Sequence, residues 1–143
     1  MTRTVIAQWT QLQRKLAGLQ GEWGLQPEGN TWSPNTDVYE SNDGLVVKME
    51  LAGVPSDSIR VQVDDRALLV EGERRDPCTG ETNAGNKYRQ LEIEYGPFQR
   101  VIPLPYPVNA SAAKARCVQG VLEIRLPKAD APILKRISIT ILS

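Results

Sequence analysis

From about Asp37 onward the apolar residues recur at every second position, the period of a strand with one buried face. Leu45, Val47, Met49 and Leu51 alternate with Val46, Lys48 and Glu50. Ile59, Val61 and Val63 alternate with Arg60, Gln62 and Asp64, and Leu68, Val70 and Gly72 follow a turn at Asp64-Asp65. Later runs are Val101 to Leu104, Ala113 to Val118 and Val121 to Leu126. Short strands with turns about every 8–12 residues predict an all-β sandwich. Asp76 to Asn86 holds Pro77, Gly80, Asn83 and Gly85 with almost no apolar residue, which predicts a long loop. Tyr88 to Glu94 after it reads as another short strand.

The 143 residues suit one domain, and a chain of that size buries about two-thirds of its unfolded surface without a staple. Lys+Arg and Asp+Glu are both 17, a balance that argues against nucleic acid as a partner and leaves self-association unopposed. Histidine is absent, which excludes Ser-His-Asp and Cys-His catalysis and the HExxH zinc site. Cys78 and Cys117 are the only cysteines, too few for a zinc site without histidine. No P-loop or GxGxxG occurs. The expectation is therefore no catalytic site, no metal and no cofactor. Without a disulfide framework or a long apolar run in Met1 to Gln20, the expected location is the cytoplasm.

Residues 1–31 differ from the rest. Val5, Trp9, Leu12, Leu16 and Leu19 fall on one stripe at helical spacing, until Gly18, Gly21 and Gly24 break the pattern. This predicts an N-terminal helical segment. The stripe has two readings, a core-packing helix or a sticky surface for unfolded chains and oligomer contacts. Trp9, Trp23 and Trp32 all lie in the first 32 residues, which places the aromatic surface outside the core domain.

At the other end, Ala129 to Pro132 is a spacer, and Ile137, Ile139 and Ile141 then alternate with polar residues. Such an extended amphipathic segment suits addition to a sheet edge. It reads as a terminal strand of its own sheet or as an anchor docking on another subunit, and the Pro-containing spacer points to the second. Asp64-Asp65 reads as a hairpin turn rather than a carboxylate pair. Cys117 reads as a buried small hydrophobe, and Cys78 as an exposed thiol open to oxidation. Glu92 and Glu94 share one strand face.

Several of these segments resemble the small heat-shock protein family, built on the α-crystallin domain, over roughly residues 32–141. Trp32-Ser33-Pro34 with Asp37-Val38-Tyr39-Glu40 is similar to the family's domain start. Glu50-Leu51-Ala52-Gly53-Val54 resembles its "ELPG" turn, with Ala52 in place of proline. Val70-Glu71-Gly72-Glu73-Arg74 resembles "I-x-G-E-R", and Tyr95-Gly96-Pro97-Phe98-Gln99-Arg100 through Leu104-Pro105 resembles "YGxFxRxxxLP". Ala115 with Gln119-Gly120-Val121-Leu122 resembles "AxxxnGvL", with Gln119 for asparagine, and Ile137-Ser138-Ile139 resembles the C-terminal I-x-I anchor.

The resemblance implies an immunoglobulin-like antiparallel β-sandwich of the bacterial and plant type over 32–128, a variable arm over 1–31 and a C-terminal extension over 129–143. It implies an ATP-independent holdase that binds non-native clients and passes them to ATP-driven chaperones. Clients would meet Val5, Ile6, Trp9, Leu12, Leu16, Leu19 and Trp23. Homodimers would form by exchange of a strand around Tyr88, Arg89, Leu91 and Glu92 near Arg100, with Glu92 or Glu94 pairing across to Arg100. Larger homo-oligomers would follow from Ile137, Ile139 and Ile141 docking against Ile59, Val61, Val63, Ala115 and Cys117, in register Ile137/Ile139 or Ile139/Ile141. The competing readings are an adaptor sandwich binding one defined partner and a peripheral membrane stabiliser. The latter is thinly supplied with Arg3, Arg14 and Lys15.

Overall fold

The alternating segments become strands because each presents one apolar row to a shared interior. The structure, a computed structural model, describes residues 32–77, 85–133 and 135–143. The expected N-terminal helix, the client-binding residues Val5, Ile6, Trp9, Leu12, Leu16, Leu19 and Trp23, and Cys78 lie outside the described residues.

The strands are β1 (Thr36–Glu40), β2 (Gly44–Glu50), β3 (Arg60–Val63), β4 (Ala67–Arg74), β5 (Gly96–Pro103), β6 (Lys114–Val118), β7 (Val121–Pro127), β8 (Ile137–Ile139) and β9 (Ile141–Leu142). They build two sheets, β1-β2-β7-β6-β9 and β5-β4-β3-β8. Leu45, Val47 and Met49 from one sheet meet Val61, Val63, Leu68, Val70 and Phe98 from the other, all buried. That is the sandwich expected from the period of two. No described polar side chain is buried, so water-excluded space is left to hydrophobic and backbone groups.

The outer face of the larger sheet carries charge in cross-strand rows. Lys48, Glu123 and Arg116 are paired neighbours across β2, β7 and β6. Glu123 meets Arg125 at 2.9 Å, Arg116 at 3.3 Å and Lys48 at 3.9 Å. Its hydrogen bond to Arg125 and the surrounding cations hold this carboxyl below the usual carboxylate range.

Three turns fix the registers. Asp64 Oδ1 accepts from the backbone N–H groups of Arg66 and Ala67 at 2.8 and 2.9 Å, the hairpin role expected of it. Gly44 must be glycine, because a Cβ there would collide with the Leu126 carbonyl oxygen. The β6–β7 hairpin turns on Gln119 (φ 51°) and Gly120 (φ 80°), both left-handed as a two-residue loop demands. A glutamine is costly in that conformation and an asparagine much less so. Gln119→Asn is expected to stabilise the fold by about 0.5 kcal/mol. This would appear as a higher urea midpoint at unchanged slope, and an equal or lower midpoint would contradict it.

Two expectations are corrected. Trp32 belongs to the core rather than to an outlying aromatic surface: it is 7% exposed and meets Phe98 edge-on at 5.3 Å. A large ring next to a buried phenylalanine gains more from packing than from exposure. Tyr88 to Glu94 forms no strand: it pairs with no strand of this chain and is exposed throughout.

Candidate assembly surfaces

One lateral side of the sandwich presents the edges of β3 and β6, and the C-terminal segment lies on both. Ile139 stands opposite Val61 and Ile137 opposite Val63 in an antiparallel ladder. The chain then crosses at Thr140 to the other sheet, where Ile141 pairs with Ala115 and Leu142 with Arg116, parallel to β6. Val61, Val63 and Ala115 are buried with Ile59, Ile139 is 9% exposed, and Ile137 and Ile141 pack against the core while half-exposed. Cys117 sits next along β6 and is also half-exposed, more open than the buried hydrophobe expected of it. The period of two puts all three isoleucines on the core-facing side.

Ile137, Ile139, Ile141, Ile59, Val61, Val63 and Ala115 are therefore brought together. The register divides the isoleucines: Ile137 and Ile139 lie on β3, and Ile141 on β6. The sequence favoured docking on another subunit, whereas here the segment pairs with its own chain. The spacer after β7 keeps it close, and a tethered segment meets its own groove at high effective concentration.

The opposite lateral side leaves β1 unpaired on its outer edge, while residues 32–33 lie against β5, where the Trp32 backbone N–H donates to the Pro97 carbonyl at 3.4 Å. β1 and β5 are the terminal strands of their sheets there, and Val38 of β1 is 46% exposed. An edge of this kind carries unpaired N–H and C=O groups that can template another strand. In the segment that leads into β5, Tyr88, Leu91 and Ile93 are exposed at 56, 71 and 69%, and Arg89 is exposed with them. Glu92 accepts a hydrogen bond from Gln90 at 2.7 Å. Arg100 is half-buried, its Nη1 donates to Ser33 Oγ at 2.6 Å, and burial lowers its pKa. Neither Glu92 nor Glu94 is paired with Arg100 within the chain. Sequence reasoning passed over Arg74 except as part of a motif, although its place at the end of an alternating run marked it as lying where a strand leaves the core.

Among the described residues no group of three or more His, Cys, Asp or Glu side chains could hold a metal ion, and no helix is long and apolar enough to cross a membrane.

Residues 37–141 match the model of the Hsp20/alpha crystallin family. The chain belongs to this family. It is 32% identical over 106 residues to small heat shock protein C2 of Rickettsia felis, covering 74% of this chain and 67% of that one. Heat shock protein 16.0 of Schizosaccharomyces pombe superposes with a TM-score of 0.65 at 31% identity, over 74% of this chain and 73% of the other. A small heat-shock protein from Xylella fastidiosa, described as having a distinct high order structure, superposes with a TM-score of 0.60 at 32% identity, over 75% and 95% of the two chains. Membership carries the chaperone function and stress response of small heat shock proteins at the level of the family.

Proposed function

We propose that this chain is an ATP-independent holdase that keeps partly unfolded proteins from aggregating and leaves them for ATP-driven chaperones. The observation that carries this is the coexistence, in one chain of the family, of an apolar edge-binding segment on one side and an open sheet edge on the other. Both features serve joining to further copies by strand addition.

The dimer forms by exchange. The segment containing Tyr88, Arg89, Leu91 and Glu92 leaves its own sandwich and pairs with the free edge of β1 in a second copy, covering Val38. Glu92 or Glu94 of that copy then meets Arg100, whose half-buried charge gains a carboxylate. Larger homo-oligomers form when the C-terminal segment leaves its own β3 and β6 and takes the same seat on a neighbour. The contacts are alike in both arrangements, so the exchange needs little net free energy. The high order structure named for the Xylella fastidiosa relative supports this reading. Clients bind residues 1–31, where Trp9, Trp23 and the leucine stripe offer apolar surface without a shaped pocket, and the site of action is the cytoplasm.

The test is light scattering from a heat-labile client at its unfolding temperature, without ATP, as this chain is added. Suppression at near-equal subunit ratios is the expected result. Unchanged scattering at several-fold excess would overturn the holdase reading in favour of an adaptor with one defined partner.

A further inference from the structure

Arg74 ends β4, and its guanidinium is shared among three segments distant in sequence. Nε and Nη2 both donate to the Glu94 carbonyl, at 2.8 and 2.5 Å, and Nη1 donates to the Ala52 carbonyl at 3.2 Å. The same plane lies over the Trp32 ring, with Cζ 3.8 Å from its centroid, and its stem lies where a Cβ on Gly53 would come within 3.5 Å of it. Trp32 is fixed in turn: Nε1 donates to the Gly96 carbonyl at 2.8 Å and its ring meets Phe98. Phe98 fills the space over Gly72, where a Cβ would come within 2.9 Å of the ring. Gly96, the first residue of β5, has a φ of 114°, a conformation that side chains rarely adopt.

The consequence is a sharp boundary. Gly96 is held by Trp32 and Glu94 by Arg74, while Tyr88, Leu91 and Ile93 are exposed and outside any strand. β5 is the edge strand of its sheet, and an edge can pair with any strand that reaches it, a hairpin formed by this segment included. That closure would satisfy the segment's amides within its own chain and leave nothing to offer a second copy. Arg74, itself tied to the Ala52 carbonyl, holds the Glu94 carbonyl and so commits the stem to another direction. An arginine suits this use, since its planar fork donates in plane while its face stacks on an indole, which a lysine cannot do.

We propose that Arg74, stacked on Trp32, is a positioning residue for dimerisation: it holds the stem of segment 85–95 away from β5 so that Tyr88 to Ile93 reaches the β1 edge of a second copy. This rests on the exchange reading above.

The experiment compares dimer dissociation constants, by native mass spectrometry of the full chain over a dilution series, for the wild type, Arg74→Met, Arg74→Lys and Val38→Arg. Methionine keeps an apolar stem over Gly53, and lysine keeps the charge as well. Both Arg74 variants are expected to weaken the dimer by at least about tenfold, the loss of roughly one charge-assisted hydrogen bond. Val38→Arg is expected to abolish it. Repeating Arg74→Lys in the monomeric Val38→Arg background reads its effect on folding alone, as a urea midpoint. A lowered midpoint there, with a wild-type dissociation constant for Arg74→Lys, would reduce Arg74 to a structural role and overturn the proposal. Wild-type dimerisation of Val38→Arg would overturn the exchange reading itself, so the two failures are told apart.

Discussion

Replacing Ile139 with alanine is expected to free the C-terminal segment from its seat. Ile139 is the most deeply buried of the three isoleucines and stands opposite Val61, itself buried. Truncating an isoleucine at such a site costs about 2 kcal/mol, the lower end of the range because an edge can relax. That corresponds to about a 30-fold shift toward the undocked segment. The backbone ladder beside it is only three residues long. The measurement is limited trypsin cleavage after Arg136, which is protected while Ile137 to Ile139 pair with β3. Cleavage should accelerate strongly in Ile139→Ala and less in Ile137→Ala, whose side chain is half-exposed. Assembly size by native mass spectrometry should fall in the same order. Equal protection of wild type and Ile139→Ala would show that the ladder, not the isoleucine, holds the segment.

Phe98→Ala is expected to have the largest effect on folding. Phe98 is 1% exposed, packs over Gly72 and meets the Trp32 ring at 5.3 Å. Removing a buried phenylalanine costs about 3–5 kcal/mol, and losing the aromatic pair adds about 0.5–1.5 kcal/mol. Domains of this size are stable by only about 5–15 kcal/mol, so much of the total would be gone. Urea denaturation reads this directly, and a loss below about 1 kcal/mol would mean the neighbours collapse into the space. Trp32 loses its support in the same variant, so the stack under Arg74 should loosen with it.

Much of the fold was legible because the chemistry was local. The alternation at Leu45 to Leu51, Ile59 to Val63 and Val121 to Leu126 named strands that the structure contains, and the Asp64 turn followed from the hydrogen-bonding habit of aspartate. β1 is legible only as a motif, since Val38 and Tyr39 are adjacent aliphatic and aromatic residues without alternation. The Tyr88 to Glu94 segment has strand-like composition but no strand, because a ladder depends on a neighbour and composition does not supply one. Trp32 was misplaced for a related reason: its burial depends on Phe98, 66 positions away.

The candidate surfaces divide the same way. The residues of the C-terminal seat could be named because each lies on the apolar face of an alternating run. Their division between two sheets could not, since it depends on where the edges of β3 and β6 stand in space. Arg74 is the clearest case, because its partners Ala52 and Glu94 are reached through backbone carbonyls, which leave no trace in residue identity.

By itself, the sequence determined the class of the fold, the family and the faces each strand would bury. Those follow from side-chain polarity at a period of two, and polarity is a property of each residue alone. The tertiary structure alone decided which edges are covered and which stay open. It placed the C-terminal segment across both sheets and left the outer edge of β1 unpaired. Edge pairing is made of backbone hydrogen bonds that every residue type can form, so only the positions of the strands select among the partners.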